Sequence, residues 1–69
     1  MNPEDFVAAL TRHGLFQSDM AQICGVTTRT IQNWASGRKK VPQSVALLLM
    51  ALDEGALSLS WIAKRITRA

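Results

Sequence analysis

With a single cysteine, Cys24, this 69-residue chain has no possible intramolecular disulfide, so packing or association must hold its fold. Cys24 falls on an apolar stripe and reads as a small core residue rather than a reactive thiol or metal ligand, which suits a reduced, intracellular setting. The one histidine, His13, has no second ligand at metal-binding spacing; its place near the end of the first helix favours an interaction with that helix's C-terminus. No metal or cofactor is therefore expected. The longest unbroken apolar run, Val45 to Leu52, is far short of the roughly 20 residues a bilayer-spanning helix needs. The opening MNPEDF is acidic and has no apolar stretch behind it, so no secretory signal is expected, and the expected location is the cytoplasm. Ser18, Asp19 and His13 are close in sequence, but they have no glycine-rich oxyanion loop and no supporting group, so catalysis is not expected. There are no repeats, low-complexity segments or linkers, and no strand-like alternation. One all-α domain over residues 1–69 is the reading that remains.

Capping signals place five helices. Asn2 caps the first, with Pro3 at its first position, Glu4 and Asp5 in its first turn, and Gly14 as its stop. Gly25 ends the second and Gly37 the third. Pro42 opens the fourth, which runs to about Glu54 and is closed by Gly55. The fifth starts at Ser58, with Leu57 and Ile62 at staple spacing, and covers about 58–68.

The segment 17–37, QSDMAQICGVTTRTIQNWASG, has the spacing of a helix-turn-helix. Met20 and Cys24 share one face of its first helix. Ala21 is small enough for a second helix to cross closely, and Gly25 supplies a left-handed turn. Thr27 is an N-cap flanked by Val26 and Ile31, so the second motif helix begins at Thr28. Ile31, Trp34 and Ala35 point inward at helical spacing, which turns Thr28, Arg29, Gln32 and Asn33 outward. Each outward side chain can address a base edge. Arginine forks onto guanine O6 and N7, glutamine and asparagine onto adenine N6 and N7, and a threonine methyl lies against a thymine methyl. A merely solvated face would more often carry Glu and Lys, yet no carboxylate occurs between Asp19 and Asp53.

Charge is distributed unevenly along the chain. The formal net charge is +3, but residues 1–26 are net −2, residues 27–52 net +4 and the remainder net +1. The positive charge thus sits on Arg29 and on the loop Arg38-Lys39-Lys40. A basic loop beside a polar helix suits phosphate binding, in which neutralised phosphates release counterions. A solvated loop is the alternative for three basic residues taken by themselves.

The chain resembles the phage repressor and Cro type of helix-turn-helix, the xenobiotic-response-element family. The matching residues are Gly14-Leu15, Gln17, Met20-Ala21, Cys24-Gly25-Val26, Thr30-Ile31, Trp34, Gly37 and Pro42, followed by an apolar helix. The likeness runs from about Phe6 to Leu52 and implies a compact five-helix lambda-repressor-like domain. It implies that Gln17 contacts a phosphate and braces the reading helix, and that Thr28, Arg29, Gln32 and Asn33 read bases. It also implies that Thr27, Thr30, Arg38, Lys39, Lys40 and Gln43 grip phosphates. Small stand-alone members of that family control their own operons in phages, mobile elements or toxin-antitoxin pairs. One departure is Phe16, where the family carries a capping Ser or Thr. Phe cannot cap, so either it packs between helices one and two while Ser18, Asp19 or water meets the free amides, or the helix starts a residue late.

Helix four is apolar on more than one side. Val45, Leu48, Leu49 and Leu52 share a core face, while Leu47 and Met50 point the opposite way and need a second cover, for which helix five is the nearest candidate. In helix five, Leu59, Ile62, Ala63 and Ile66 form a stripe, and Trp61 falls on the other side with Lys64, Arg65 and Arg68. Leu47, Met50, Leu59, Trp61 and Arg65 are accordingly candidate homodimer contacts; the alternative folds Trp61 back onto helix four within one chain. The expected partner is double-stranded DNA carrying a palindromic operator, bound by a homodimeric repressor, with no small-molecule ligand. The rival expectation is an antitoxin or adaptor that uses helices four and five to hold another protein.

Overall fold

A computed structural model of the chain describes residues 1–66 and contains five α-helices, with no strand among the described residues: α1 (Pro3–Arg12), α2 (Gln17–Cys24), α3 (Thr28–Ser36), α4 (Gln43–Asp53) and α5 (Leu59–Ile66). The end of the expected fifth helix, including Arg68, lies outside the described residues.

Local chemistry accounts for most helix ends. Asn2 Oδ1 accepts the Asp5 amide at 2.7 Å, and Pro3, Glu4 and Asp5 fill the first turn of α1 as its positive end requires. Gly25 stands at φ +69°, and the Val26 amide closes the end of α2 on the Ala21 carbonyl at 3.0 Å. Gly37 ends α3 at φ +83°. A side chain there would be strained by that backbone and would place a Cβ 3.0 Å from Pro3 Cγ, so the start of α1 abuts the end of α3. Two expected starts shift by one residue. Pro42 occupies the extended cap position of α4 instead of its first turn. Ser58 stays outside α5 because its Oγ accepts the Trp61 amide at 3.1 Å, the geometry of an N-cap.

The core draws on every helix: Phe6, Ala9 and Leu10 from α1, Met20 and Ala21 from α2, Ile31 and Trp34 from α3, Val45, Leu49 and Leu52 from α4, and Ile62 from α5. Phe6 and Trp34 meet edge to face, with centroids 5.9 Å apart and planes at 86°, an arrangement favoured by the ring quadrupoles. α3 packs on both α1 and α2, and α5 packs on α2. That last contact corrects the expected role of α5. It does not cover the outer side of α4, where Leu47 and Met50 remain 54% and 48% exposed. Leu59 and Ile66 instead join Leu15 and Ile23 at the edge of the core.

One polar clasp joins the ends of α1 and α4. Arg12 donates to Asp53 through Nε at 3.1 Å and Nη2 at 2.8 Å, and His13 Nε2 lies 2.7 Å from Asp53 Oδ1. The hydrogen bonds from Arg12, then from His13, hold the Asp53 carboxyl below the usual aspartate range. His13 therefore has a partner 40 residues away and not only the end of its own helix. Cys24 is partly buried, and burial pushes its thiol pKa up, as befits a packing residue.

Candidate nucleic-acid interface

The inward and outward sides of α3 separate as its periodicity requires. Ile31 and Trp34 are buried and Ala35 is half-buried, whereas Thr28, Arg29 and Gln32 are exposed and Asn33 is half-buried. Four side chains able to pair with base edges thus share the side of the helix turned away from the core.

The start of α3 is set by hydroxyls. Thr27 Oγ1 accepts the Thr30 amide at 3.3 Å and lies 3.1 Å from Thr30 Oγ1. If the Thr30 hydroxyl donates across that second contact, the Thr27 proton is left for an outside acceptor such as a phosphate oxygen. No acidic residue stands in the first turn. Arg29 is instead placed where the helix dipole favours an anion, a placement that costs about 0.3–1 kcal/mol at an exposed site. Neither the helix dipole nor an ion pair among the described residues accounts for a cation there.

The basic loop is strapped to the end of the same helix. The Lys39 amide donates to the Asn33 carbonyl at 3.1 Å, Ser36 Oγ donates to that same carbonyl at 3.3 Å, and the Arg38 amide donates to Ser36 Oγ at 3.4 Å. Arg38, Lys39 and Lys40 are exposed, and neither they nor Arg29 enter an ion pair among the described residues. Ser36 is the participant that motif reading overlooked. Its signal is a hydroxyl three residues after Asn33 and two before Arg38, in a last turn where the carbonyls need donors.

The start of α2 settles the question raised by Phe16. The helix begins at Gln17, not a residue late, and Gln17 is half-buried. Phe16 holds the cap position without a capping acceptor, since a phenyl ring has none. Asp19 Oδ2 reaches back to the Phe16 amide at 2.9 Å, so one half of a capping box forms without the other. The ring does not pack between α1 and α2; it is 77% exposed. Gln43, the remaining expected phosphate contact, is exposed at the first position of α4.

The candidate association residues fall into two groups. Leu47, Met50 and Trp61 are exposed, Trp61 by 48%, so Trp61 is not folded back under cover. Arg65 stacks on its ring, with the guanidinium carbon 3.7 Å from the ring centroid, and donates through Nη1 to the Trp61 carbonyl at 3.1 Å. Leu59, by contrast, is half-buried against the core. Among the described residues, no group of three or more His, Cys, Asp or Glu is placed to hold a metal, and no helix is long and apolar enough to cross a membrane.

No family model matches the chain, and neither a curated protein nor a solved structure matches it.

Proposed function

We propose that this chain is a sequence-specific, double-stranded-DNA-binding transcriptional regulator. In this reading it is a lambda-repressor-like helix-turn-helix domain that acts in the cytoplasm as a homodimeric repressor or autorepressor. The observation that carries the reading is the outer side of α3. It presents Thr28, Arg29, Gln32 and Asn33 without a single carboxylate, beside a strapped loop of cations that enter no ion pair among the described residues. With α3 in the major groove, those four residues address base edges. Thr27, Thr30, Arg38, Lys39 and Lys40, together with Gln17 and Gln43, then address flanking phosphates.

Size supports action in pairs. The molecule measures 31 × 26 × 19 Å, less than the roughly 34–36 Å that separates half-sites one helical turn apart. One copy therefore serves one half-site, and a palindromic operator calls for two. The exposed Leu47 and Met50 of α4, with Trp61 and Arg65 of α5, supply surface for a two-fold contact, whereas Leu59 packs against the core and is not part of it. The same exposed surface of α4 and α5 also suits a second reading, an antitoxin or adaptor that uses helices four and five to hold a partner protein.

Selection of bound fragments from random DNA, followed by titration of Arg29→Ala, tests the proposal. A defined palindrome should emerge. The variant should keep its helix content, lose about 1–3 kcal/mol per half-site and relax preference at one base position. Equal loss on specific and random DNA would reassign Arg29 to phosphate contact. Failure to retain any DNA, together with a stable complex with another protein, would favour the second reading.

A further inference from the structure

We propose that the groove between α2 and α5 binds a small apolar amine, a single aromatic ring or branched alkyl body carrying one ammonium group. The groove has a volume of about 140 Å³ and is walled by Leu15 and Ile23 on one side and by Leu59 and Ile62 on the other. An apolar cavity of about 150 Å³ in another protein accommodates benzene, so the space suits one ring and is too small for a partner helix. Two polar side chains, Asp19 and Gln22, line it as well, and no cation among the described residues does.

Asp19 determines the charge of the ligand. Its Oδ2 accepts the neutral Phe16 amide at the start of α2, where the helix dipole suits an anion, and it forms no ion pair among the described residues, so no side-chain cation among them neutralises it. A neutral ligand filling the groove would strip water from that carboxylate without replacing it, and an anion would be repelled. An ammonium group placed against Asp19 supplies both charge and donors while the ring lies along the apolar walls. Gln22, one helical turn further along α2, offers its side-chain oxygen to a second ammonium proton. The site is independent of the DNA reading, and its test uses no DNA.

The test is a methyl-detected magnetic-resonance titration of the whole chain with 2-phenylethylammonium, 2-phenylethanol and 3-phenylpropionate. The amine should produce saturable shifts at Leu15, Ile23, Leu59 and Ile62, the alcohol should bind at least about tenfold more weakly, and the acid should not saturate. Asp19→Asn retains an oxygen for the Phe16 amide and removes the charge. Its affinity for the amine should fall to that of the alcohol with helix content unchanged. Ala63→Leu fills the groove from α5 and should abolish binding of all three. Similar titrations with amine, alcohol and acid, unsaturable shifts, or an Asp19→Asn variant that binds the amine as tightly as the parent would each overturn the proposal.

Discussion

Trp34 in α3 and Trp61 in α5 stand on short helices that begin behind a hydroxyl cap, Thr27 in one and Ser58 in the other, yet one ring is buried and the other is half-exposed. Both helices place an apolar residue just before the cap and another at the fourth position, Val26 with Ile31 and Leu57 with Ile62, and all four join or border the core. The difference lies in phase. Trp34 follows Ile31 by three residues and lands on the same side of the helix, whereas Trp61 precedes Ile62 by one and is turned about 100° away. Cations diverge in the same manner: Arg65 is engaged on Trp61 within its own helix, while Arg29 has no ion-pair partner among the described residues. Identical start signals thus produce one helix with a deep anchor and free charge and another with an exposed ring and occupied charge.

The sharpest way to break this contrast is to truncate both rings. Trp34→Ala should cost about 3–5 kcal/mol, enough to unfold so small a domain in a urea titration. Trp61→Ala should leave the monomer's stability nearly unchanged and shift sedimentation toward monomer. Leu47→Lys should shift it further by burying an unpaired charge in the interface. Equal losses of stability in the two tryptophan variants would mean that helical phase does not decide which ring anchors the fold.

On the charge side, if the loop grips phosphates as proposed, replacing Lys39 and Lys40 by Ala removes two such contacts per subunit. The slope of log affinity against log salt should become shallower by up to about four units for a dimer, with sequence preference intact. An unchanged slope would leave the loop without a role in binding.

A smaller effect separates folding from binding at Arg29. Arg29→Glu should raise the stability of α3 by about 0.3–1 kcal/mol, because an anion suits the helix start, while abolishing DNA retention. A variant that loses stability would show that Arg29 serves the fold.

The smallest expected effect concerns the clasp. Because Asp53's carboxyl is held below its ordinary value in the folded chain, its contribution is present above the unfolded value of about 3.9 and is lost as pH falls through the lower folded value. The melting temperatures of parent and Asp53→Asn should differ at neutral pH and converge in acid below about pH 4. A gap that persists there would assign the effect to packing.

What was legible in the sequence was mostly local. Asn2, Thr27, the glycines at 14, 25 and 37, and the inward set Phe6, Met20, Ile31 and Trp34 act within a turn or two of themselves, so spacing alone locates five helices and most of the core. Thr28, Arg29 and Gln32 faced outward for the same reason. Contacts between distant segments were not legible. Asp53 meets Arg12 and His13 across about 40 residues, Pro3 meets Gly37, and α5 prefers α2 to the outer side of α4, none of which leaves a periodic trace. Phe16 misled because a large apolar residue is expected inside. Its position is set by the backbone of the cap, which directs its ring outward whatever its hydropathy.

The strap between α3 and its loop runs through the carbonyl of Asn33, a group that every residue type possesses. Position 33 can therefore change its side chain without releasing the basic loop, and positions 28, 29 and 32 are not tied to the strap at all. Strap and outward face are written in different groups: the strap in backbone atoms and the Ser36 hydroxyl, the outward face in the side chains at 28, 29, 32 and 33. Mutation can rewrite the outward face of α3 residue by residue while the frame that presents it persists, which makes the helix a readily evolvable surface.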